Sequence, residues 1–463
     1  MRLISLFLLA TLVASSAWAD PADSQVQFHP TWESLNARSV PKWFSDDKFG
    51  IFIHWGVYAV PSYCDTSTYS EWYQHWVSTN AHDGLERKFH ERVYGKDFEY
   101  RDFAPMFRAE LYDPQEWAKI FKRSGARYVV LTSKHHDGFC LWPNKVASEV
   151  RGYAWNSVET GPQRDLLGDL TKAVRSEGLK MGYYFSFLEW ENPLYDSDRD
   201  AYVDRVALPQ MRELINNYQP DILWPDGEWV SSDTMLRSTE FLAWLYNHSP
   251  NRETIVVNDR WGKGLRGKCG DFFTTEYGKW GGEGVGQGRK SFEECRGIGH
   301  SFAFNRAEKY DIYASRTASV RLLIDIVSQG GNLLLDIGPT ADGRVPLIMQ
   351  DRLFTIGRWL EVNGDSIYGT TRSPFKELSW GRATVKGNTI YLHVYDWPED
   401  GLLEVPPLAN KITGAYLLAD QQRQPLSIKS LSTKGSSVDL SGYHPELHAT
   451  VVVLELDGPP KRL

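Results

Sequence analysis

The chain has 463 residues, 42% hydrophobic and 24% charged, globular proportions that exclude a largely disordered, collagenous or coiled-coil protein. Its length exceeds the roughly 100–200 residues of one typical domain, so two domains or one large barrel with an appendage are expected. A net charge of -8 makes nucleic acid an unfavourable partner, whereas 18 Trp, 23 Tyr and 21 Phe supply flat faces that suit sugar rings and also fill large cores.

At the N-terminus Arg2 precedes an apolar run that ends in Ala17-Trp18-Ala19, the small-x-small pattern of a signal-peptidase site. A leader over residues 1–19 is expected, hence an exported chain: periplasmic or secreted, or lysosomal in a eukaryote. Asp20, rather than cysteine, follows the cut and argues against a lipid anchor. No later apolar run approaches the roughly 18 residues of a membrane span. Cys64, Cys140, Cys269 and Cys295 permit up to two disulfides, and a Cys269–Cys295 pair could close a local loop. They form no C-x-x-C, so thiolate zinc binding is not expected.

From about Lys48 to Pro339 short apolar runs alternate with amphipathic stretches. Asp113-Pro114 is an N-cap with a first-turn proline, followed by a helix that Gly125 ends and the strand Y-V-V-L-T. The same grammar predicts helices over Leu166–Glu177, Tyr202–Asn217 and Ala318–Ser328, each leading into a strand apolar on both faces. That pattern belongs to a buried parallel sheet, and at this length to a (β/α)8-like TIM barrel over residues 28–370. Beyond Thr371 strict alternation takes over, as in N-T-I-Y-L-H-V-Y and A-T-V-V-V-L-E-L, predicting a C-terminal antiparallel β-sandwich over 371–463.

Each apolar run ends in polar and aromatic residues: His54-Trp55, His135-His136-Asp137, Glu189-Trp190, Asp226-Gly227-Glu228-Trp229 and Asp259-Arg260-Trp261. In a parallel barrel these ends share one face, where barrel enzymes carry their chemistry. Asp226, between tryptophans directly after a strand, suits a nucleophile for a sugar carbon; capping the next helix is the structural alternative. His135-His136-Asp137 suits hydrogen bonding to hydroxyls better than metal binding, because alternation along a strand would aim only one histidine at an ion. Glu71-Trp72-Tyr73 joins an acceptor to two aromatic faces. The long glycine-rich segment Gly262–Glu294 reads as an active-site cover able to deliver a second carboxylate, Glu276 or Glu293. Its G-G-E-G-V-G-Q-G lacks the features of a phosphate loop.

In this order, F-G-I-F-I-H-W-G, S-E-W-Y, S-K-H-H-D-G-F, L-W-P-D-G-E-W, N-D-R-W-G and G-G-N-L-L-L-D-I-G-P-x-x-D-G resemble the α-L-fucosidases of glycoside hydrolase family 29, from about Trp43 to Gly369. The resemblance implies a barrel with a C-terminal β-sandwich and a retaining exo-hydrolase that needs no metal or other cofactor. The implied substrate is terminal L-fucose on an oligosaccharide or glycoconjugate, with the oligomeric state left open. It implies Asp226 as nucleophile and His54, Glu71, Trp72, His135, His136, Tyr184, Trp224, Arg260 and Phe302 as the fucose pocket. For the acid/base, Glu276 in T-T-E-Y and Glu293 in S-F-E-E-C each match a family assignment. Glu276 is preferred, because it directly follows D-F-F-T-T, a short strand-like run after the strand bearing Arg260, whereas Glu293 precedes C-R-G-I-G-H-S-F, which reads as the start of the next barrel element, and relatives often carry K-W-E where this chain has S-F-E.

Overall fold

The computed structural model describes residues 27–278, 291–431 and 435–461; the expected leader and the G-G-E-G-V-G-Q-G stretch lie outside them. Eight parallel strands make one curled sheet: β1 (Phe49–Ile53), β2 (Tyr128–Lys134), β3 (Lys180–Ser186), β4 (Ile222–Asp226), β5 (Val256–Val257), β6 (Phe273–Glu276), β7 (Phe292–Gly297) and β8 (Asn332–Ile337). Their spatial order is β5-β4-β3-β2-β1-β8-β7-β6. β1, β2, β4 and β8 are buried along their whole length, as their unbroken apolar runs require of strands covered on both faces.

Helices fill the connections. Asp113 caps Pro114–Arg123 by accepting from the Gln115 and Glu116 amides, and Asp165 caps Leu166–Ser176 through the Gly168 amide. Each cap contributes about 1 kcal/mol. The predicted helix over Tyr202–Asn217 is interrupted: a wide turn at Val203–Ala207 precedes the regular helix Leu208–Tyr218. Pro209, with no amide hydrogen, cannot extend a regular ladder back into the preceding turn.

Among the described residues no backbone ladder joins β5 to β6, so the barrel has one seam. A backbone bond and several side chains close it. The Asp271 amide donates to the Val257 carbonyl (2.9 Å), and the Asp271 carboxylate accepts from the Val257 amide (2.9 Å) and from Arg38 Nη1 (2.9 Å). Further along, Asp259 accepts from the Thr274 amide (3.1 Å). The segment Gly262–Glu294, expected to be a single covering loop, therefore contains a barrel strand, β6, and the start of β7. The strand-like run D-F-F-T-T is the part of this segment that reads as β6.

The C-terminal part has a four-stranded antiparallel sheet and a three-stranded one. Strands β9 (Gly381–Lys386), β10 (Thr389–Val394), β11 (Leu402–Val405), β12 (Ile412–Leu417), β13 (Ile428–Ser430), β14 (Ser436–Asp439) and β15 (Thr450–Leu456) are ordered β12-β15-β10-β9 and β11-β14-β13. Val452 and Leu454 of β15 face a core shared by the two sheets, while Val451 and Val453 pack into the barrel's core. Period two thus explains why this strand is apolar at every position. All four cysteines are buried and none is in a disulfide, so the Cys269–Cys295 link is not formed. No helix among the described residues is long and apolar enough to cross a membrane.

Asp271→Ala would leave the buried Arg38 charge unpaired and free the Val257 amide. Chemical denaturation should show a loss of about 3 kcal/mol, the range for one broken buried pair, with Asp271→Asn milder. A loss below about 1 kcal/mol would mean that other contacts hold the seam.

Candidate active site

The strand ends converge on one small pocket of about 90 Å³, open to solvent. Asp226, Glu276, His54, Glu71, Trp72, His135, His136, Tyr184, Trp224, Arg260 and Phe302 all line it. Glu293 does not. It lies fully buried inside the barrel, its two oxygens accepting from Tyr128 (2.6 Å) and Trp224 Nε1 (2.9 Å).

Asp226 ends β4, and Gly227 follows at φ 75°, a left-handed conformation that lets the chain turn where a Cβ would strike the Leu188 backbone. The structural alternative, a helix cap, is not what the carboxylate does. Its Oδ1 accepts from Arg260 Nη1 (2.6 Å), its Oδ2 from Tyr184 (2.9 Å), and His136 Nε2 stands 3.8 Å away. Burial pushes this acid upward, but the charge and hydrogen bond of Arg260, aided by Arg266 and Tyr184, hold it below the ordinary aspartate value. The other terminal nitrogen of Arg260 pairs with Glu276 at the end of β6. One guanidinium therefore carries a carboxylate on each arm, stacked 4.2 Å over the ring of Trp224, with its Nε bonded to Thr274 Oγ1 (3.0 Å).

His135 and His136 correct the alternation argument. β2 ends at Lys134, and the turn beyond it aims both rings, centroids 4.2 Å apart, into the pocket. His136 Nδ1 meets Ser186 Oγ (2.6 Å), and His54 Nδ1 meets Asp336 Oδ1 (2.7 Å). Burial holds all three histidines well below the usual imidazole value, so each can donate and accept as a neutral ring. Glu71, pushed up to about 7 by burial, accepts from the Ala303 amide (3.0 Å) and the Ser301 hydroxyl (3.2 Å). Phe302 stacks on His54 (5.0 Å, 29°), giving the pocket an apolar wall.

Sequence reasoning missed several residues here. Trp229, Tyr69 and the half-exposed Arg266 also line the pocket; Arg266 Nε is held by Glu228 (2.7 Å), and its Nη2 lies 3.9 Å from Asp226. Asp336 sits inside the quoted N-L-L-L-D-I-G-P motif, yet only the pairing of β8 with β1, which sets Phe52 opposite Asp336, reveals that it holds His54. The arrangement presents one ionised carboxylate, a second beside it, neutral hydrogen-bonding rings and an apolar wall: equipment for displacement at a polyhydroxylated carbon.

A sequence model described as alpha-L-fucosidase matches residues 16–365. The chain is 40% identical over 414 residues to an alpha-L-fucosidase of Dictyostelium discoideum, covering 85% of this chain and 86% of that one. It is 37% identical over 432 residues to the human tissue alpha-L-fucosidase, covering 90% and 89%. The crystal structure of Thermotoga maritima alpha-fucosidase aligns with a TM-score of 0.78 at 36% identity, covering 92% of this chain and 100% of that one.

Burial lifts Glu293 from an ordinary 4.5 to about 7, against the pull of its two donors. The native state then keeps a proton that the unfolded chain has released, so this contribution to stability is complete below about pH 4.5 and disappears as pH rises through about 7. Between about pH 4.5 and 8, urea unfolding of the wild type should lose roughly 3 kcal/mol more than that of Glu293→Gln. Parallel curves would show that Glu293 is ionised in the fold.

Proposed function

The chain belongs to the alpha-L-fucosidase family and is a glycoside hydrolase acting on fucosides, and on that premise we propose that it removes terminal L-fucose with retention, through a covalent fucosyl-enzyme. The observation that carries the mechanism is the pairing of Asp226 and Glu276 with opposite arms of Arg260 at the base of one pocket. Two carboxylates held by one guanidinium are kept close to each other, in keeping with the about 5 Å separation that double displacement uses. Asp226, kept ionised by Arg260, attacks the anomeric carbon. Glu276 protonates the departing oxygen, then takes a proton from the water that releases fucose. His54, His135, His136 and Glu71 hold hydroxyls, while Phe302, Tyr184 and Trp224 meet the sugar's apolar surface and methyl group. Glu293 has no path to the glycosidic oxygen, because Tyr128 and Trp224 occupy both of its oxygens inside the barrel.

Thermotoga maritima alpha-fucosidase, to which the chain is similar, has been solved in complex with fucose and with a mechanism-based inhibitor, which supports an exo-acting pocket of this kind. The leader pattern over 1–19 supports export to the periplasm or beyond, with a catalytic unit over 28–370 followed by a β-sandwich over 371–463.

Asp226→Gly should lower turnover of an aryl α-L-fucoside by about 10⁴-fold or more, and azide should restore part of it; near-normal unrescued activity would exclude the nucleophile assignment. Proton NMR should detect α-fucose as the first product, and β-fucose appearing first would exclude retention. Glu276→Ala should slow substrates with poor leaving groups by about 10²–10⁴-fold and activated aryl fucosides less, since the latter depart without a proton. If Glu293→Ala instead shows that leaving-group dependence, the acid/base assignment is wrong.

A further inference from the structure

A group of tryptophans runs outward from the wall of the fucose pocket, and its outer members, Trp76 and Trp190, have no task there. Trp72 and Trp76 stand four residues apart, the second on the helix Tyr73–Thr79, a spacing that puts both indoles on one side. Their rings are near-parallel (5.3 Å, 24°), and Trp72 is near-parallel to Trp229 at the pocket wall (6.4 Å, 16°). Trp190, at the end of the loop after β3, sets its edge against Trp72 (5.1 Å, 68°) and stacks on His75 (5.4 Å, 21°). All five rings are half-buried rather than sealed in the core.

Their hydrogen bonding separates them from most of the protein's structural tryptophans, Trp142 being an exception. Trp55, Trp117, Trp155, Trp261 and Trp359 each donate Nε1–H to a backbone carbonyl. Trp76 is anchored in the same way, to the Tyr69 carbonyl (2.9 Å). Trp72, Trp190 and Trp229 have no acceptor among the described residues. An indole ordinarily finds a partner when it is buried for packing alone. Free donors on half-exposed, aligned rings at a pocket mouth are the equipment for a ligand with an apolar face and a rim of hydroxyls.

We propose that Trp76, Trp190 and the outer part of Trp229 form a binding site for the pyranose that carries the fucose, stacking on its C–H face while the free indole N–H groups donate to its hydroxyls. This rests on the fucosidase reading and extends it. The preferred substrates are fucosylated oligosaccharides whose penultimate sugar exposes one apolar face, and the site contributes to substrate affinity rather than to bond cleavage.

The test compares 2′-fucosyllactose with α-L-fucosyl fluoride, whose leaving group is a single atom that cannot reach the tryptophans. Trp76→Ala and Trp190→Ala should each lower kcat/KM on the oligosaccharide by about tenfold, the size of one lost aromatic stack, chiefly through KM. Hydrolysis of the fluoride should stay within about twofold, which also reports that each variant is folded. Trp76→Phe, which keeps a ring, should retain most of the oligosaccharide activity, and inhibition by free lactose should weaken in both alanine variants. A selective loss on the oligosaccharide in either alanine variant supports the site, and an equal change on both substrates in both variants overturns it. If the wild type turns over neither substrate, the fucosidase reading itself has failed.

Discussion

Arg260 is the residue around which the catalytic end is arranged. A guanidinium only 1% exposed is costly unless its charge is paired, and here Asp226 and Thr274 accept hydrogen bonds from it, Glu276 forms an ion pair with its other arm and Trp224 takes its face. Those partners come from β4 and β6, on opposite sides of the barrel's seam. One cation therefore both sets the ionisation of the attacking carboxylate and fixes the distance between two strands that no backbone bond connects.

The histidine turn has a similar foundation one layer out. Lys134, the last residue of β2, points away from the pocket and binds Glu189 (2.7 Å), which also receives Arg151 (3.0 Å) and Tyr202 (2.9 Å). Burial alone would push Glu189 upward, but the two cations pull it down to about 2. Because Lys134 precedes His135 and Glu189 precedes Trp190, this buried network pins the backbone on both sides of the pocket from behind, without touching it.

Much of this was legible along the chain because parallel strands expose their function at their ends. A run such as D-I-L-W-P-D-G-E-W states in order what is core and what is mouth, and the period-two pattern after Thr371 marks the change of architecture as plainly. What stayed hidden depends on pairing between distant segments. The sequence favours Glu276 over Glu293 without placing either, and β6–β7 register then sets Glu293 opposite Thr274, two residues before the strand end, and Glu276 at the end itself. The two histidines could be judged only once the end of β2 was known, since one residue decides whether alternation or a turn governs them. Asp336 and Ser186, which orient His54 and His136, look like ordinary strand residues until their neighbours are placed.

The seam has a consequence for inheritance. Seven of the barrel's eight strand contacts are made by backbone groups, which every residue except proline supplies, so those contacts survive extensive sequence drift so long as apolar character is kept. The eighth has no ladder and, besides the backbone bond from Asp271 to Val257, depends on particular side chains: Asp271 for the Val257 amide and Arg38, Asp259 for Thr274. A lineage can exchange leucine for valine around most of the barrel, but it cannot exchange these aspartates without opening the wall beside its reaction centre. Residues that never touch sugar are thereby as necessary to the reaction centre as those that do, for reasons of architecture rather than chemistry.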